Sequence, residues 1–333
     1  MSDNANWIGS ELSSGEGWRY VLSTEEINDL TRMAESIRPS LRGDPNQLMT
    51  LQKDQFNVGC FAETLDTIYT NLKDGLGIAL IRGLPIKELE PIEVAIIYWA
   101  IGLQLGQATP NNPDGDMFGH ITDLGKTQKD PNSRGYQTSE AMDYHCDQSD
   151  IVGLMCIRAA KSGGISKVAS SIAMYNTLLK KYPQHIDQLS EPFYWSKLGE
   201  YARGDKPYYQ SPVFNHMDNK LCVSFGPTHI EKGHALPDAP ALTEQQRAAI
   251  RKAEQIASEQ RFDMELIPGD IQLLNNYVTL HTRSAYVDHE EIGKKRLLWR
   301  LWLMNSDLRP RTAYTKNFQN GVQLRNSKNQ IRL

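Results

Sequence analysis

Histidine and aspartate residues that stand two positions apart are the feature of this sequence best suited to chemistry. The pattern occurs three times, as His145/Asp147, His185/Asp187 and His216/Asp218. Imidazole nitrogens and carboxylate oxygens are both ligands for first-row transition metals, so each pair is a candidate for part of a metal site. Because so short a motif also arises by chance, its surroundings must separate a ligand pair from a capping or hydrogen-bonded pair.

The sequence context distinguishes the three pairs. The stretch YHCDQSDIVGLMCIR leads from the first pair into an apolar strand, and if that strand starts at Tyr144, His145 and Asp147 share one face. The second pair lies in the helical context YPQHIDQLS, where side chains two residues apart point to nearly opposite sides. The third lies at a predicted hairpin turn, where aspartate serves turn chemistry and is solvated. We therefore select the first pair as candidate ligands.

A third histidine and two arginines follow in the C-terminal part of the chain. His281 lies near the end of the predicted apolar strand DIQLLNNYVTLHTRSAY, where a hydrogen-bonded strand-end histidine is the alternative to a ligand. In KKRLLWRLWL, alternation along a strand puts Arg296 and Arg300 on one face and a wholly apolar row on the other. Two enclosed guanidinium groups need anionic partners, which are either protein carboxylates or a carboxylate of a ligand.

Hydrophobic periodicity predicts the elements that position these residues. Helical periodicity is clear in STEEINDLTRMAESI, FAETLDTIYTNLKDG, PIEVAIIYWAIGLQLG, IAMYNTLLKKYPQHI and LTEQQRAAIRKAEQIASEQ, the first and last of which begin with capping boxes. Strands are predicted in LGIALIRGLPI and GGISKVASS, and a hairpin turns at Asp218 and Asn219. Periodicity disappears over residues 107–143, which predicts a functional lid, a binding loop or a disordered segment. The irregular strand spacing favours a β-sandwich or barrel with flanking helices over a doubly wound parallel sheet.

The composition is typical of a globular protein. The 333 residues are 40% hydrophobic and 23% charged, which is enough chain for one large domain or two ordinary ones. The net charge of -4 argues against nucleic acid or an anionic membrane as the main partner, and no apolar run approaches the roughly 20 residues of a membrane span. We find no signal-peptide pattern and no CxxC pair among the four cysteines, so we expect a cytoplasmic protein.

Two histidines and one carboxylate on a β scaffold are the facial triad of non-haem Fe(II) oxygenases. At this point the chain resembles the taurine dioxygenase/TfdA-like Fe(II)- and 2-oxoglutarate-dependent oxygenases, in the clavaminate synthase-like group. The resemblance runs from about LGIALIRGLPI to RLWLMNS and rests on YHCDQSDIVGLMCIRAAKSGGISKVASS, PGDIQLLNNYVTLHTRSAYVD and KRLLWRLWL. It implies a mainly β fold, a double-stranded β-helix (jelly roll, cupin-like) with flanking helices. The expected single domain covers 1–333, with N-terminal helices at about 23–105 and an insertion at about 172–262.

The resemblance also implies roles for individual residues. His145, Asp147 and His281 match the iron ligands of the family. Arg296 matches the arginine that binds the C5 carboxylate of 2-oxoglutarate, and Ser166 matches a hydroxyl that helps to hold the same cosubstrate. The implied cofactors are therefore Fe(II), with 2-oxoglutarate and O2 as cosubstrates.

Other matched positions bear on the substrate and on the outcome of the reaction. Arg300 matches an arginine that meets an anionic substrate group in some members. SEAMDY lacks the asparagine that recognises taurine, and Cys146, which stands where threonine is common, is expected to pack rather than react. Asp147 is present where halogenating relatives carry a small residue. We expect oxidation of a C–H bond by hydroxylation, desaturation or cyclisation, in a small anionic or amino-acid-like metabolite, with release of succinate and CO2.

Two alternatives stay open at this stage. A cupin-type metalloenzyme that does not use 2-oxoglutarate would leave Arg296 and Ser166 unexplained. A non-catalytic binding or sensor protein on the same fold would have no need of a complete triad. In every case the expected partner is a small molecule, with no nucleic acid and no membrane, and a homo-oligomer is left open.

Overall fold

Two mainly antiparallel β-sheet layers, flanked by helices, surround the candidate residues. The computed structural model describes residues 3–127, 134–201, 204–325 and 328–333, and for Tyr314 it describes only the backbone. The strands are β1 Arg19–Val21, β2 Ile78–Arg82, β3 Gln107–Thr109, β4 Gly119–Ile121, β5 Ile151–Arg158, β6 Ser162–Gly163, β7 Ser166–Ser170, β8 Phe193–Ser196, β9 Tyr208–Ser211, β10 Phe214–Met217, β11 Lys220–Val223, β12 Phe262–Met264, β13 Ile271–Asn275, β14 Thr279–Arg283, β15 Tyr286–Val287 and β16 Leu297–Met304. The helices are α1 Thr24–Ile37, α2 Phe61–Asp74, α3 Pro91–Leu105, α4 Ser171–Lys181, α5 Gln184–Ser190, α6 Pro227–His234, α7 Glu244–Glu259 and α8 Ala313–Lys316.

The larger sheet has the strand order β1-β2-β13-β5-β16-β3, and β4 also pairs with β16. Its pairings are antiparallel apart from β1 with β2, so the predicted absence of a doubly wound parallel sheet is confirmed. The smaller sheet, β12-β7-β14, is antiparallel throughout. The two layers leave β16 buried along its whole length.

The core is divided into layers by the alternation of side chains along the strands. On β16, Trp299, Leu301 and Leu303 pack with the N-terminal helices, as the apolar row of the sequence predicts. Trp302 faces the other way and packs in a cluster that also contains Val168 of the smaller sheet. The space between the sheets therefore receives the face of β16 that carries Arg300.

The helices begin where the sequence predicts. The Ser23 side chain accepts a hydrogen bond from the Glu26 backbone N–H, and the Glu26 carboxylate accepts one from the Ser23 backbone N–H, which is the expected capping box. Thr243 and Gln246 repeat the motif at α7. The helix predicted over IAMYNTLLKKYPQHI is instead two helices, because Pro183 separates α4 from α5. Among the described residues, no helix combines the length and the apolar composition that a membrane crossing requires.

Three sequence predictions about strands need correction. The strand after the first His-x-Asp pair begins at Ile151 rather than at Tyr144, and the residues before it are bent. The segment DIQLLNNYVTLHTR is two strands in different sheets, because the chain turns between β13 and β14. The predicted 107–143 loop contains β3 and β4, which extend the larger sheet at β16, while its residues 128–133 lie outside the described part of the chain.

Candidate metal centre

His145 and His281 are brought together by the main chain. The two residues form an isolated antiparallel bridge, in which the His145 N–H donates to the His281 carbonyl at 3.0 Å and the reverse bond measures 2.8 Å. Residues directly opposite in such a pair have neighbouring side chains, and here the ring centroids lie 4.4 Å apart. The bridge thus fixes two imidazoles side by side where β14 meets the chain that enters β5.

Asp147 joins the two histidines although it is outside any regular strand. Trp302 Nε1 donates to its carboxylate at 3.0 Å, and Arg300 Nη1 donates to both carboxylate oxygens at 3.1 and 3.3 Å. Its carboxylate lies 3.9 Å from Nε2 of His281, and one ligand atom of each of the three residues lies within 4.8 Å of the others. Contacts with β16, rather than the strand alternation assumed from the sequence, therefore place Asp147 beside His145.

The protonation states suit metal binding. Burial alone would raise the pKa of Asp147, but the charge of Arg300, the two imidazoles and the Trp302 hydrogen bond lower that pKa to about 2. Burial, and then the neighbouring His145, lowers the pKa of His281 to about 3. At neutral pH the carboxylate is therefore ionised and this imidazole is neutral, which are the forms that bind a metal.

The ring nitrogens of the histidines are also arranged as metal ligands require. Nδ1 of His145 lies 2.9 Å from the Asp143 carbonyl, so this nitrogen donates and Nε2 is left as the ligand atom. Nδ1 of His281 is buried without a hydrogen-bond partner in the described part of the chain. Within that part, these three residues are also the one cluster of His, Cys, Asp or Glu able to hold a metal. His216 is exposed at its hairpin and His185 lies on α5, as the sequence predicts.

A cavity with an empty space of about 490 Å³, including its open part, adjoins the three residues and is lined also by Ser166 and Arg296. Arg296 is only 5% exposed and its Nη1 is buried without a hydrogen-bond partner among the described residues. The Ser166 hydroxyl donates to Oε1 of Gln272 at 3.1 Å. The glycine turn before β7 leaves room for the guanidinium, because Gly164 has a φ of 70° and a Cβ there would lie 3.1 Å from Nε of Arg296.

A second cavity, with an empty space of about 740 Å³ including its open part, is also lined by His145 and Asp147 and is built from the 107–143 segment and the 172–262 segment. Trp195 and Phe225 contribute aromatic lining, and Arg134 and Lys232 contribute cations. Arg134 is ion-paired with Glu200, through Nε and Oε1 at 3.0 Å, so the two segments are tied together at this cavity.

Arg300 stands between the two cavities and contributes to the lining of both. Its Nε donates to Oδ1 of Asn111 at 2.9 Å, and its guanidinium lies 4.9 Å from the ring centre of Tyr136. Its anionic partner in the protein is Asp147, whereas Nη2 is buried without a hydrogen-bond partner among the described residues. A protein carboxylate, that of Asp147, therefore neutralises part of the positive charge of the buried Arg300 guanidinium.

Several residues of the site were not found from the sequence. Arg283 lines the smaller cavity, and its position two residues after His281 on one strand was a signal that could have found it. Tyr136 and His229 line the larger cavity from segments without any motif, so the sequence offered no comparable signal. Cys146 packs as predicted, accepting a hydrogen bond from the Phe225 N–H at 3.2 Å, although it also reaches the larger cavity.

Known proteins resemble this chain in sequence. The sequence profile described as "Taurine catabolism dioxygenase TauD, TfdA family" matches residues 47–302. FR-33289 synthase of Streptomyces rubellomurinus is 31% identical over 303 residues, which cover 89% of this chain and 88% of that protein. The taurine hydroxylase-like protein SAT17 of Stachybotrys chartarum is 25% identical over 326 residues, or 92% of this chain and 80% of that protein.

Solved structures resemble the fold at low sequence identity. Asparagine oxygenase, in complex with Fe(II), 2S,3S-3-hydroxyasparagine and succinate, has a TM-score of 0.68 at 16% identity, covering 86% of this chain and 93% of that one. The non-haem iron oxygenase OrfP, in complex with Fe and alpha-ketoglutaric acid, has a TM-score of 0.64 at 17% identity, with the same two coverages.

Proposed function

Because the chain belongs to the TauD/TfdA dioxygenase family, we propose that His145, Asp147 and His281 hold its iron and that its substrate is a small anionic or amino-acid-like molecule. The protein is a non-haem Fe(II)- and 2-oxoglutarate-dependent dioxygenase, which oxidises a C–H bond and releases succinate and CO2. The observation that carries the ligand assignment is the buried cluster of one carboxylate and two imidazoles with ligand atoms within 4.8 Å. Iron held there supplies the redox chemistry that couples decarboxylation to oxidation of the substrate.

The chain's own residues prepare this centre in a definite way. Trp302 and Arg300 orient the Asp147 carboxylate, and the Asp143 carbonyl fixes the ring of His145. Three ligands on one side of a metal leave its remaining positions for exchangeable groups. The enclosing sheets keep bulk water from these positions, which strengthens every polar interaction in the site.

We assign the smaller cavity to 2-oxoglutarate. Among the described residues, no carboxylate forms a salt bridge with the buried Arg296 guanidinium, so a ligand carboxylate is the partner that its charge requires. The Ser166 hydroxyl lines the same cavity and is placed to assist. These two residues are the ones that a metalloenzyme without 2-oxoglutarate would leave unexplained.

We assign the larger cavity to the primary substrate. Arg134, Lys232 and Arg300 in its lining favour a molecule with an anionic group. The solved asparagine oxygenase holds a hydroxylated asparagine, and OrfP has been solved with L-Arg and with hydroxylated arginine, which supports an amino-acid-like molecule. The three-dimensional likeness alone does not transfer either amino acid to this chain.

We also propose that the two sheets form the double-stranded β-helix of the family, in a single domain over 1–333. Support comes from the chain path, because β5, β13 and β16 lie in the larger sheet while β7 and β14 lie in the smaller one. Successive core strands therefore cross between the layers, as in a jelly roll. The N-terminal helices at about 23–105 and the insertion at about 172–262 then flank this core. The expected cytoplasmic location stays a prediction.

The test is formation of succinate from 2-oxoglutarate by the Fe(II)-loaded protein, across a panel of small acids and amino acids. We expect one class of anionic or zwitterionic compound to raise succinate formation well above the uncoupled level and to give an oxidised product of that compound in equal amount. A panel in which only compounds without a carboxylate or other anionic group are oxidised would contradict the proposed substrate class. No succinate under any condition, with iron and 2-oxoglutarate bound, would favour the non-catalytic alternative.

A further inference from the structure

Arg283 is a buried arginine that lines the smaller cavity, and the proposed function assigns it no role. It ends β14, two residues after His281, so its side chain projects from the same face of the strand into the space between the sheets. It is only 6% exposed. A guanidinium in such a position needs compensation for the water it has lost.

The described residues compensate Arg283 only in part. Its Nη2 donates to the backbone carbonyls of Thr138 and Glu140, at 3.0 and 2.7 Å. Its Nε and Nη1 are buried without hydrogen-bond partners, and no carboxylate of the described residues forms a salt bridge with it. Two donors on one permanent cation are therefore available to an anion.

A second buried cation lies beside it. The guanidinium carbons of Arg283 and Arg296 lie 4.5 and 5.1 Å from the ring centre of Tyr286. The Tyr286 ring attracts both cations but carries no neutralising charge in its neutral form. Two like charges at one ring, each with unpartnered donors and neither in a salt bridge with a carboxylate of the described residues, are the environment that a bound anion stabilises.

The strand register places Arg283 at the end of the cavity that contains Ser166. In the antiparallel pairing of β7 with β14, Ser166 stands directly opposite Arg283. Both residues therefore lie on the inner face of the smaller sheet, next to each other. The proposed function assigns Ser166 and Arg296 to the C5 carboxylate of 2-oxoglutarate, which is the carboxylate remote from the metal.

We propose that Arg283 is a second arginine for that remote C5 carboxylate, and that Arg283 and Arg296 together form a two-arginine subsite. The subsite selects a keto acid with a charged C5 group over one with an uncharged C5 group. The reason is that a hydrogen bond from a guanidinium to a carboxylate is stronger than a hydrogen bond from a guanidinium to an uncharged oxygen. This inference rests on the proposed function of the smaller cavity. The competing role for Arg283 is purely structural, as an anchor for the chain at Thr138 and Glu140.

The experiment compares two ligands that differ only at C5. 2-Oxoglutarate and its C5 amide, 2-oxoglutaramate, are titrated calorimetrically into the Mn(II)-loaded protein without O2. The proteins are wild type, Arg283→Met, Arg296→Met and the control Arg158→Met. Arg158 suits as a control because it is a partly buried arginine that donates to the Lys295 carbonyl and does not line the cavity.

We expect wild type to prefer the acid over the amide, and Arg283→Met to lose about tenfold or more of that preference. Arg296→Met should lose at least as much, and Arg158→Met should keep the wild-type preference. Mn(II) affinity without a keto acid should stay within about twofold in all three variants, since none of the three arginines is a proposed ligand.

Equal weakening of both ligands by Arg283→Met, with an unchanged preference, would overturn the proposal and leave Arg283 as an anchor. If Arg283→Met fails to fold, Arg283→Lys is used in the same comparison. Lysine should lose part of the preference because it lacks the planar fork, and a fully retained preference would overturn the proposal. A different result, in which wild type has no preference and Arg296→Met changes nothing, would instead reject the assignment of this cavity to 2-oxoglutarate.

Discussion

At the scale of single residues, the candidate site is a small set of charges that neutralise one another incompletely. Asp147 is balanced by Arg300, and its pKa falls to about 2 in spite of burial. Arg296 has no such partner in the described part of the chain. The imbalance is what a metal dication and a dicarboxylate would complete, because each supplies the charge that the protein lacks.

The residue types of the triad could be selected from the sequence, but their geometry could not. The choice of His145 and Asp147 over the two other pairs rested on context, and the structure brings that pair to His281. The assumed mechanism, a regular strand from Tyr144, is wrong. The backbone bridge to β14 positions His145, and side-chain hydrogen bonds from β16 position Asp147. Contacts between residues so far apart in the sequence leave no local sequence pattern.

Removal of the Arg296 guanidinium tests the cosubstrate assignment. We predict that Arg296→Ala weakens 2-oxoglutarate binding to anaerobic Fe(II) protein by roughly 30-fold or more, about 2–5 kcal/mol, because a buried carboxylate then lacks its charged partner. Arg296→Lys should recover only part of the affinity, since lysine keeps the charge but not the bidentate fork. Calorimetric titration gives both values, and unchanged affinity in a folded alanine variant would favour the cupin-type alternative.

Arg300 should act on the primary substrate more than on 2-oxoglutarate. It lines both cavities, and one of its nitrogens is buried without a hydrogen-bond partner among the described residues. With the substrate found by the panel assay, we predict that Arg300→Ala raises the KM for that substrate by roughly tenfold or more. The KM for 2-oxoglutarate should change less. Equal changes in the two KM values would instead place Arg300 in the cosubstrate site.

At the scale of elements, sequence patterns predicted what local physics controls and missed what depends on contacts across the fold. The capping boxes at Ser23 and Thr243 and the hairpin turn at Asp218 and Asn219 are confirmed, because each depends on a few neighbouring residues. The division of the His281 segment into β13 and β14 was missed, since continuous apolar character does not show where a strand passes from one sheet to the other.

The glycine turn before β7 offers a test at this scale. We predict that Gly164→Ala weakens 2-oxoglutarate binding, because its Cβ would lie 3.1 Å from Nε of Arg296 and displace the guanidinium. Gly125→Ala is the matched control, since Gly125 also has a φ of 70° but has no atom within 4 Å of the added carbon. Both variants should lose about 1–2 kcal/mol of stability from backbone strain.

Thermal unfolding of the two glycine variants measures the backbone strain, and titration with 2-oxoglutarate measures the effect of displacing the Arg296 guanidinium. Only Gly164→Ala should bind 2-oxoglutarate less tightly than wild type. If both variants bound it equally well, the turn would have no part in positioning Arg296.

At the scale of the whole molecule, the layers explain where the two cavities lie. Helices cover one face of the larger sheet, the smaller sheet covers the other, and the 172–262 segment packs outside the smaller sheet. The cavity that we assign to the substrate lies where that segment meets residues of the 107–143 segment, for example at the Arg134–Glu200 ion pair. Residues 107–143, predicted as a lid, a binding loop or a disordered segment, and the predicted insertion at about 172–262 both contribute to this cavity, but the sequence did not show which of their side chains line it.

Ligand binding should stabilise the whole fold. Because the metal and 2-oxoglutarate bind only the folded protein, each at 100 times its Kd should add about 2.7 kcal/mol to the free energy of unfolding. We predict that Mn(II) with 2-oxoglutarate raises the Tm by several degrees and that a chelator reverses the rise. Scanning calorimetry measures both effects. Asp147→Ala is the control, and a full rise in that variant would mean that the metal binds elsewhere.

The measurement that tests the central claim most directly is the visible charge-transfer band of the anaerobic Fe(II)–2-oxoglutarate complex. We predict that the wild-type protein shows the band and that alanine at His145, Asp147 or His281 abolishes it, since each residue supplies one of the three ligand atoms. His216→Ala should keep the band, because His216 is exposed on a hairpin. Loss of iron from His216→Ala, with iron and the band retained by His145→Ala, would contradict the account.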